Sequence, residues 1–160
     1  MAYLIDGNNL MERISESNYE ESDSRISLVR FLYKFYKIRK QRIIVVFDGR
    51  PTPQLLEFHP EAVDFKILFS KPGSNADGKI KEIIEKMDYL RNLTLVTSDR
   101  DLRDFGKRSR AKTISSYEFL KFVKRVLRET RNKEDDRKKE VRLTPLEIEQ
   151  WMKVFSKKEE

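Results

Sequence analysis

The chain has 160 residues, 34 basic against 27 acidic, a net charge of +7, a sequence pI near 9.5 and no cysteine. That length suits one domain with a real core, and the missing cysteine excludes disulfides and thiolate zinc sites. The basic excess favours a polyanionic partner, nucleic acid ahead of a membrane surface, over a merely soluble basic protein; with no leader-like N-terminus and no apolar run of spanning length, a cytoplasmic protein is expected.

The first stretch, Tyr3-Leu4-Ile5-Asp6-Gly7-Asn8-Asn9-Leu10, is an apolar run stopping on an acid, a glycine and two amides. It reads as a buried central strand with Asp6 at its C-terminal end. From Asn8 to Ser22 the chain is polar and turn-rich, and Asp23 or Ser24 then offers an N-cap for a helix over Arg25 to Gln41. In it Ile26, Val29, Phe31, Leu32, Phe35, Tyr36 and Ile38 recur at helical spacing. Its last turn is basic, with Lys37, Arg39, Lys40 and Arg42, which an offset of the helix dipole explains more simply than a phosphate contact.

Ile43 to Phe47 reads as a second strand buried on both faces, followed by a loop from Asp48 to Pro53. His59, the single histidine, has no acid at metal-ligand spacing and is read as a surface residue. Val63 to Phe69 is a third strand at a sheet edge. Ser74 or Asn75 then caps a helix from about Ala76 to Met87, with Ile80, Ile83, Ile84 and Met87 facing the core. Asp77 falls in its first turn, where the helix dipole stabilises an acid by about 0.3–1 kcal/mol, so position alone leaves structural and functional roles equally open. Gly78 costs the helix up to about 1 kcal/mol; it either permits close approach of a substrate or marks a loose first turn.

Leu93 to Ser98 is the fourth strand and leads into a short helix, Asp99 to Phe105, which Asp99 can cap. A fifth strand, Lys112 to Ser115, precedes a helix near Tyr117 to Thr130. Arg100, Arg103, Lys107, Arg108, Arg110 and Lys112 form the densest basic cluster, directly after two acids, and suit an enzyme that must hold a polyanion in register. Residues 131–142 are nearly all charged and read as a linker or helix extension after a domain over 1–130. A terminal helix over 143–160 starts with Thr144, Pro145 and Glu147 in a capping box; its Ile148, Trp151, Met152 and Phe155 face is expected to dock on its own domain.

Strands alternating with helices predict an α/β domain with a mainly parallel sheet of about five strands. Asp6, Asp77 and Asp99, with Asp48 and Asp101 as further candidates, then gather outside one sheet edge, where such folds bind ligands. A cluster of acids needs cations, and hard oxygen donors without His or Cys point to Mg²⁺ or Mn²⁺. Such ions support in-line phosphodiester hydrolysis. Asn8 and Asn9 can orient water or substrate, and Ser98 can support a neighbouring carboxylate. No Walker-type loop and no nucleophile with a paired base is visible.

These stretches together, Tyr3 to Asn9, Val45 to Gly49, Asn75 to Ile80 and Val96 to Asp101, occur in the order found in NYN domains, and the chain most resembles the YacP-like branch of the PIN-like nucleases over about residues 2–125. The resemblance implies a PIN-like three-layer sandwich and metal-dependent RNA cleavage, in RNA processing or ribosome-linked decay. It implies Asp6, Asp77 and Asp99 as metal-binding acids, Asp101 as the fourth carboxylate, Asn8 or Asn9 as an auxiliary, and Asp48 as a second-tier candidate. Where the family commonly has a second acid, directly after Asp77, this chain has Gly78. The expected function is therefore a metal-dependent endoribonuclease, and the alternative an RNA- or ribosome-binding module with a degenerate site. A phosphatase using Asp6 as nucleophile is disfavoured, because Asn8 stands where the general acid belongs.

Overall fold

The computed structural model describes residues 1–15, 24–58, 62–141 and 144–156. Two compact units divide the chain, Met1–Arg125 and Val126–Glu160.

In the first unit, five strands form one parallel sheet: β1 (Ala2–Asp6), β2 (Arg42–Phe47), β3 (Phe65–Phe69), β4 (Leu93–Val96) and β5 (Lys112–Ile114), in the order β3-β2-β1-β4-β5. The expected class, an α/β three-layer sandwich, is the one observed. The central strand β1 is the first in the chain, as its uninterrupted apolar run implies, because both of its faces are covered. After β1 the chain builds outward through β2 and β3, then returns to the other side of β1 for β4 and β5. The β1/β4 junction is thus the switch point of the sheet.

Seven helices are described: α1 (Gly7–Ser15), α2 (Ser24–Arg39), α3 (Pro53–Glu57), α4 (Ala76–Lys86), α5 (Arg100–Arg108), α6 (Ser116–Val141) and α7 (Pro145–Ser156). On one face of the sheet Leu4, Ile44, Val46 and Leu95 pack with Ala76, Ile80 and Ile84 of α4 and Leu102 of α5. On the other, Tyr3 meets Phe35 of α2 and Phe119 of α6, with ring centroids 5.9 and 5.2 Å away. The alternation of Tyr3 and Leu4 across the pleat assigns them to opposite layers.

Two local expectations are corrected. The stretch after β1 is helical from Gly7 to Ser15, where a polar, turn-rich segment was expected. Leu10 is fully buried and Asp6 Oδ1 accepts the Asn9 N–H at 3.4 Å, so the acid that ends the strand also caps the helix. The expected loop around Pro53 contains α3, with Pro53 in its first turn and Thr52 Oγ1 accepting from Leu55 N. Of the two readings of the charged stretch, linker or helix extension, residues 131–141 take the second and continue α6. Smaller boundary shifts have visible causes: α2 stops at Arg39 because Lys40 turns left-handed (φ 54°), and Val63 lies outside β3, 88% exposed. β4 ends at Val96, two residues before the expected Ser98, and α5 extends past Phe105 to Arg108. In the second unit the capping box of α7 is formed: Thr144 N donates to Glu147 Oε2 at 2.7 Å, and Glu147 N to Thr144 Oγ1 at 3.3 Å. His59 and Asp23 lie outside the described residues. Among the described residues no helix is long and apolar enough to cross a membrane.

The absence of a linker between β1 and α1 puts Gly7 against β2. A Cβ there would stand 2.5 Å from Phe47 Cε1 and 2.9 Å from the Val46 carbonyl oxygen, and the second of these cannot rotate away. Gly7→Ala is therefore expected to destabilise the protein by about 1–3 kcal/mol, the usual cost of overpacking, as a lowered urea midpoint with an unchanged m-value.

Candidate active site

The site is built outward from Asp6, a carboxylate only 4% exposed at the C-terminal end of the central strand. Its Oδ2 accepts the Thr97 hydroxyl at 3.0 Å and its Oδ1 the Asn9 amide. Thr97, fully buried just past β4, in turn accepts the Asp99 N–H at 3.1 Å. A single hydroxyl therefore ties the acid of β1 to the residue that starts α5. Burial pushes the Asp6 carboxyl up to about 6; the Thr97 and Asn9 hydrogen bonds pull against that, and the nearby charges of Asp77 and Asp48 add to it.

Asp48, immediately after β2, takes two donors: Asn8 Nδ2 at 2.5 Å on Oδ2 and the Ala76 N–H on Oδ1. It links α1 to the first turn of α4. Its backbone oxygen accepts from Arg25 Nη2 at 2.9 Å, and Arg25 also lies over the Phe47 ring. Asn75 caps α4 through Gly78 N at 2.8 Å, resolving the choice between Ser74 and Asn75. Asp77, next to the cap, is half-buried and its carboxyl is raised, first by burial and then by Asp99 and Asp48; Lys81 opposes this, and Asp101 adds a smaller push. Asp99 caps α5, its Oδ1 accepting from Leu102 N at 2.9 Å, while Asp101 is exposed in the first turn.

Outside the same sheet edge, Asp6 thus lies in the electric field of Asp77 and Asp48, and Asp77 in that of Asp99, Asp48 and Asp101. Among the described residues no three acids are grouped closely enough to hold one ion as they stand. The donor set nevertheless suits a hard cation. Every candidate is an oxygen, and Asn8 Oδ1 is a buried oxygen with no hydrogen-bond partner beside this field. Mg²⁺ in particular is commonly held by one or two carboxylates, with water and substrate phosphate supplying the rest.

Other candidates fall differently. Asn9 braces the scaffold: its Oδ1 accepts from Ser98 N at 2.8 Å and from Ser116 Oγ at 2.6 Å. Ser98 Oγ accepts from Ser116 N at 3.1 Å, so the carboxylate support expected of Ser98 comes instead from Thr97. Thr97 and Ser116 were missed in the sequence; the only signal was their place beside Ser98 and at the start of α6. An added Cβ at Gly78 would meet Asn75 Oδ1 and Ser74 Oγ, each at 3.3 Å, so position 78 stands over the exposed helix cap. The basic cluster is divided along α5. Arg100 and Arg103 begin the helix beside the acids, and Arg103 Nε is buried with no partner. Lys107, Arg108, Arg110 and Lys112 lie at its far end or on β5, Arg108 about 12 Å along the helix from Arg100.

The raised carboxyl of Asp6 carries a signed consequence for stability. Between pH 4 and 6 the folded state holds a proton that the unfolded state has released, so stability present below about 4 is lost as pH rises through about 6. Urea titrations in EDTA should show Asp6→Asn losing less stability than the parent across that window, by about 2 kcal/mol on the scale of ~1.4 kcal/mol per pKa unit. Thr97→Val keeps the shape but strands the Asp99 N–H and removes a donor from Asp6. It should cost about 1–3 kcal/mol at pH 7 in the same assay.

Comparison with known proteins agrees with this architecture. Residues 3–157 match the YacP-like NYN domain. No curated protein matches. The crystal structure of a tryptophan-to-leucine mutant of Rae1 (YacP) from Bacillus subtilis is 19% identical, with 88% of this chain and 85% of that chain covered and a TM-score of 0.71. A second crystal structure of Rae1 (YacP) from Bacillus subtilis is 22% identical over 99% of this chain and 92% of that one, with a TM-score of 0.65. At these identities the structural likeness speaks to the fold alone, and the family match over nearly the whole chain makes the assignment: the protein belongs to the YacP-like NYN domain family.

Proposed function

We propose that this protein is a metal-dependent endoribonuclease of the cytoplasm that hydrolyses RNA phosphodiester bonds, in RNA processing or ribosome-linked decay. The observation that carries the reading is the desolvated Asp6, raised to about 6 at the switch point with the charges of Asp77 of α4 and Asp48 beside it, while Asp77 in turn feels Asp99 and Asp101. Asp6, Asp77, Asp99 and Asp101 are the residues that would hold Mg²⁺ or Mn²⁺, with Asn8 Oδ1 as an uncharged oxygen. When bound, such an ion supplies Lewis-acid polarisation of the phosphate and charge neutralisation.

The chain's own residues do the positioning. Thr97 and Asn9 fix both oxygens of Asp6, so its remaining lone pairs have set directions. Asp48 anchors the first turn of α4 and hence Asp77; Asn9 anchors the end of β4 and hence Asp99. Arg100 and Arg103 stand where an RNA phosphate beside the acids needs cations. Because Asp6 must be ionised to attract a cation, the Mg²⁺ or Mn²⁺ concentration needed for activity is expected to rise as pH drops below about 6.

Gly78, in place of the family's second acid, supports the second reading, a non-catalytic RNA- or ribosome-binding module. Its place over the exposed cap favours activity, since a side chain there stands beside the helix cap. Purified protein is expected to cleave labelled single-stranded or structured RNA with Mg²⁺ or Mn²⁺ and to stop in EDTA. Asp6→Asn and Asp99→Asn are each expected to cut the rate at least about 100-fold, roughly 2.7 kcal/mol in the barrier. Salt-sensitive RNA binding with no cutting in either metal would transfer the assignment to the binding module.

A further inference from the structure

The acid site leaves the basic last turn of α2 unused. Over its 16 residues α2 carries Arg25, Arg30, Lys34, Lys37 and Arg39 and no acid. Cations that only offset a helix dipole need do no more than lie near the last carbonyls. These are held on aromatic rings. The Arg39 guanidinium carbon is 5.6 Å from the centre of the Phe122 ring, and that of Arg125 is 5.5 Å from the same centre. Beside them Lys37 Nζ lies 5.4 Å from Tyr33 and Lys40 Nζ 5.9 Å from Tyr36, and the two tyrosines stack on each other.

Both guanidiniums share one ring, and the described residues give neither an ion-pair partner. The cation–π contacts fix their direction without neutralising them. What completes such a pair is a polyanion with a charge for each guanidinium. We propose that Arg39 and Arg125, held on Phe122, form a second RNA contact that grips the phosphate backbone away from the cleavage site. The proposal rests on RNA being the substrate, as argued above.

The fold sets the separation. Arg39 lies three residues before the start of β2, whose Arg42 pairs with Ala2 at the beginning of β1, whereas Asp6 ends β1. Five residues of strand put the two sites roughly 17 Å apart along the sheet axis. An RNA must therefore run several nucleotides beyond the cut to reach the arginine pair. Because cations already engage these rings, bases have no free stacking platform here. The contact is to phosphates and is indifferent to sequence.

The test is fluorescence anisotropy of the full chain in EDTA, across a salt series, with labelled oligouridines of about 4 and about 20 nucleotides. The double variant Arg39→Gln/Arg125→Gln should bind the long RNA more weakly, with the slope of log K against log salt shallower by about 1.4, or roughly 0.7 for each phosphate no longer neutralised. It should bind the short RNA as the parent does and cleave it with the same kcat, at an unchanged melting temperature. If the double variant fails to fold, Arg125→Gln alone should lower the slope by about 0.7. Unchanged affinity and slope on the long RNA, or an equal loss on both lengths, overturns the proposal; so does weaker binding at an unchanged slope. A wild-type protein that cleaves nothing in Mg²⁺ or Mn²⁺, yet shows the length-dependent slope change, contradicts the nuclease assignment and leaves the arginine contact standing.

Discussion

The carboxylate of Asp6 is the constraint around which the first unit is arranged. It ends the central strand, where both faces and both edges are covered, so water cannot solvate it and protein donors must. Thr97 supplies one donor from the far side of the β1/β4 junction, and the first turn of α1 supplies the other. Meeting both demands brings α1 directly onto the strand end, and that proximity leaves room only for glycine at position 7. The cost of burial is thereby turned into a fixed position for a carboxylate.

The same dual use recurs around the site. Asp6 and Asp99 each cap a helix, and Asp48 accepts from the first residue of α4, so every one of them has a structural reason to be present. Capping alone does not explain their convergence. Acids that only cap helices have no need to face one another, and these raise the carboxyls of Asp6 and Asp77 by mutual repulsion on top of burial. Asp77 is the telling case, because Asn75 already caps α4 and leaves Asp77 without that task. Sites that keep like charges together against their own stability are where function is sought.

Much of this was legible in the chain. The β-branched and apolar runs at 3–5, 43–47 and 93–96 are long enough to mark buried parallel strands, and the acid after each falls at the same sheet edge by the topology of such folds. What the sequence concealed were interactions between distant segments. Thr97 and Ser116 look like ordinary strand and turn residues until residues 91 and 107 positions apart, Asp6 with Thr97 and Asn9 with Ser116, are brought into contact. Asn9, expected to orient water or substrate, has its Oδ1 held by Ser98 N and Ser116 Oγ, contacts that no local spacing announces. α1 was hidden because its apolar residues are sparse and its cap is supplied by a residue assigned to the strand. The basic cluster read as one patch because it is contiguous in sequence, whereas a helix rising 1.5 Å per residue carries its far half away from the acids.

The central claim is that a desolvated Asp6 carboxylate, set among other acids, is the seat of cation attraction. Its most direct test is an NMR titration of the Asp6 side-chain carboxyl, with the ion-free protein and again with Mg²⁺ added. A midpoint near 6 that falls on addition of Mg²⁺ is the predicted result. A midpoint near the ordinary 3.8, unmoved by the ion, would contradict both the burial and the role assigned to it.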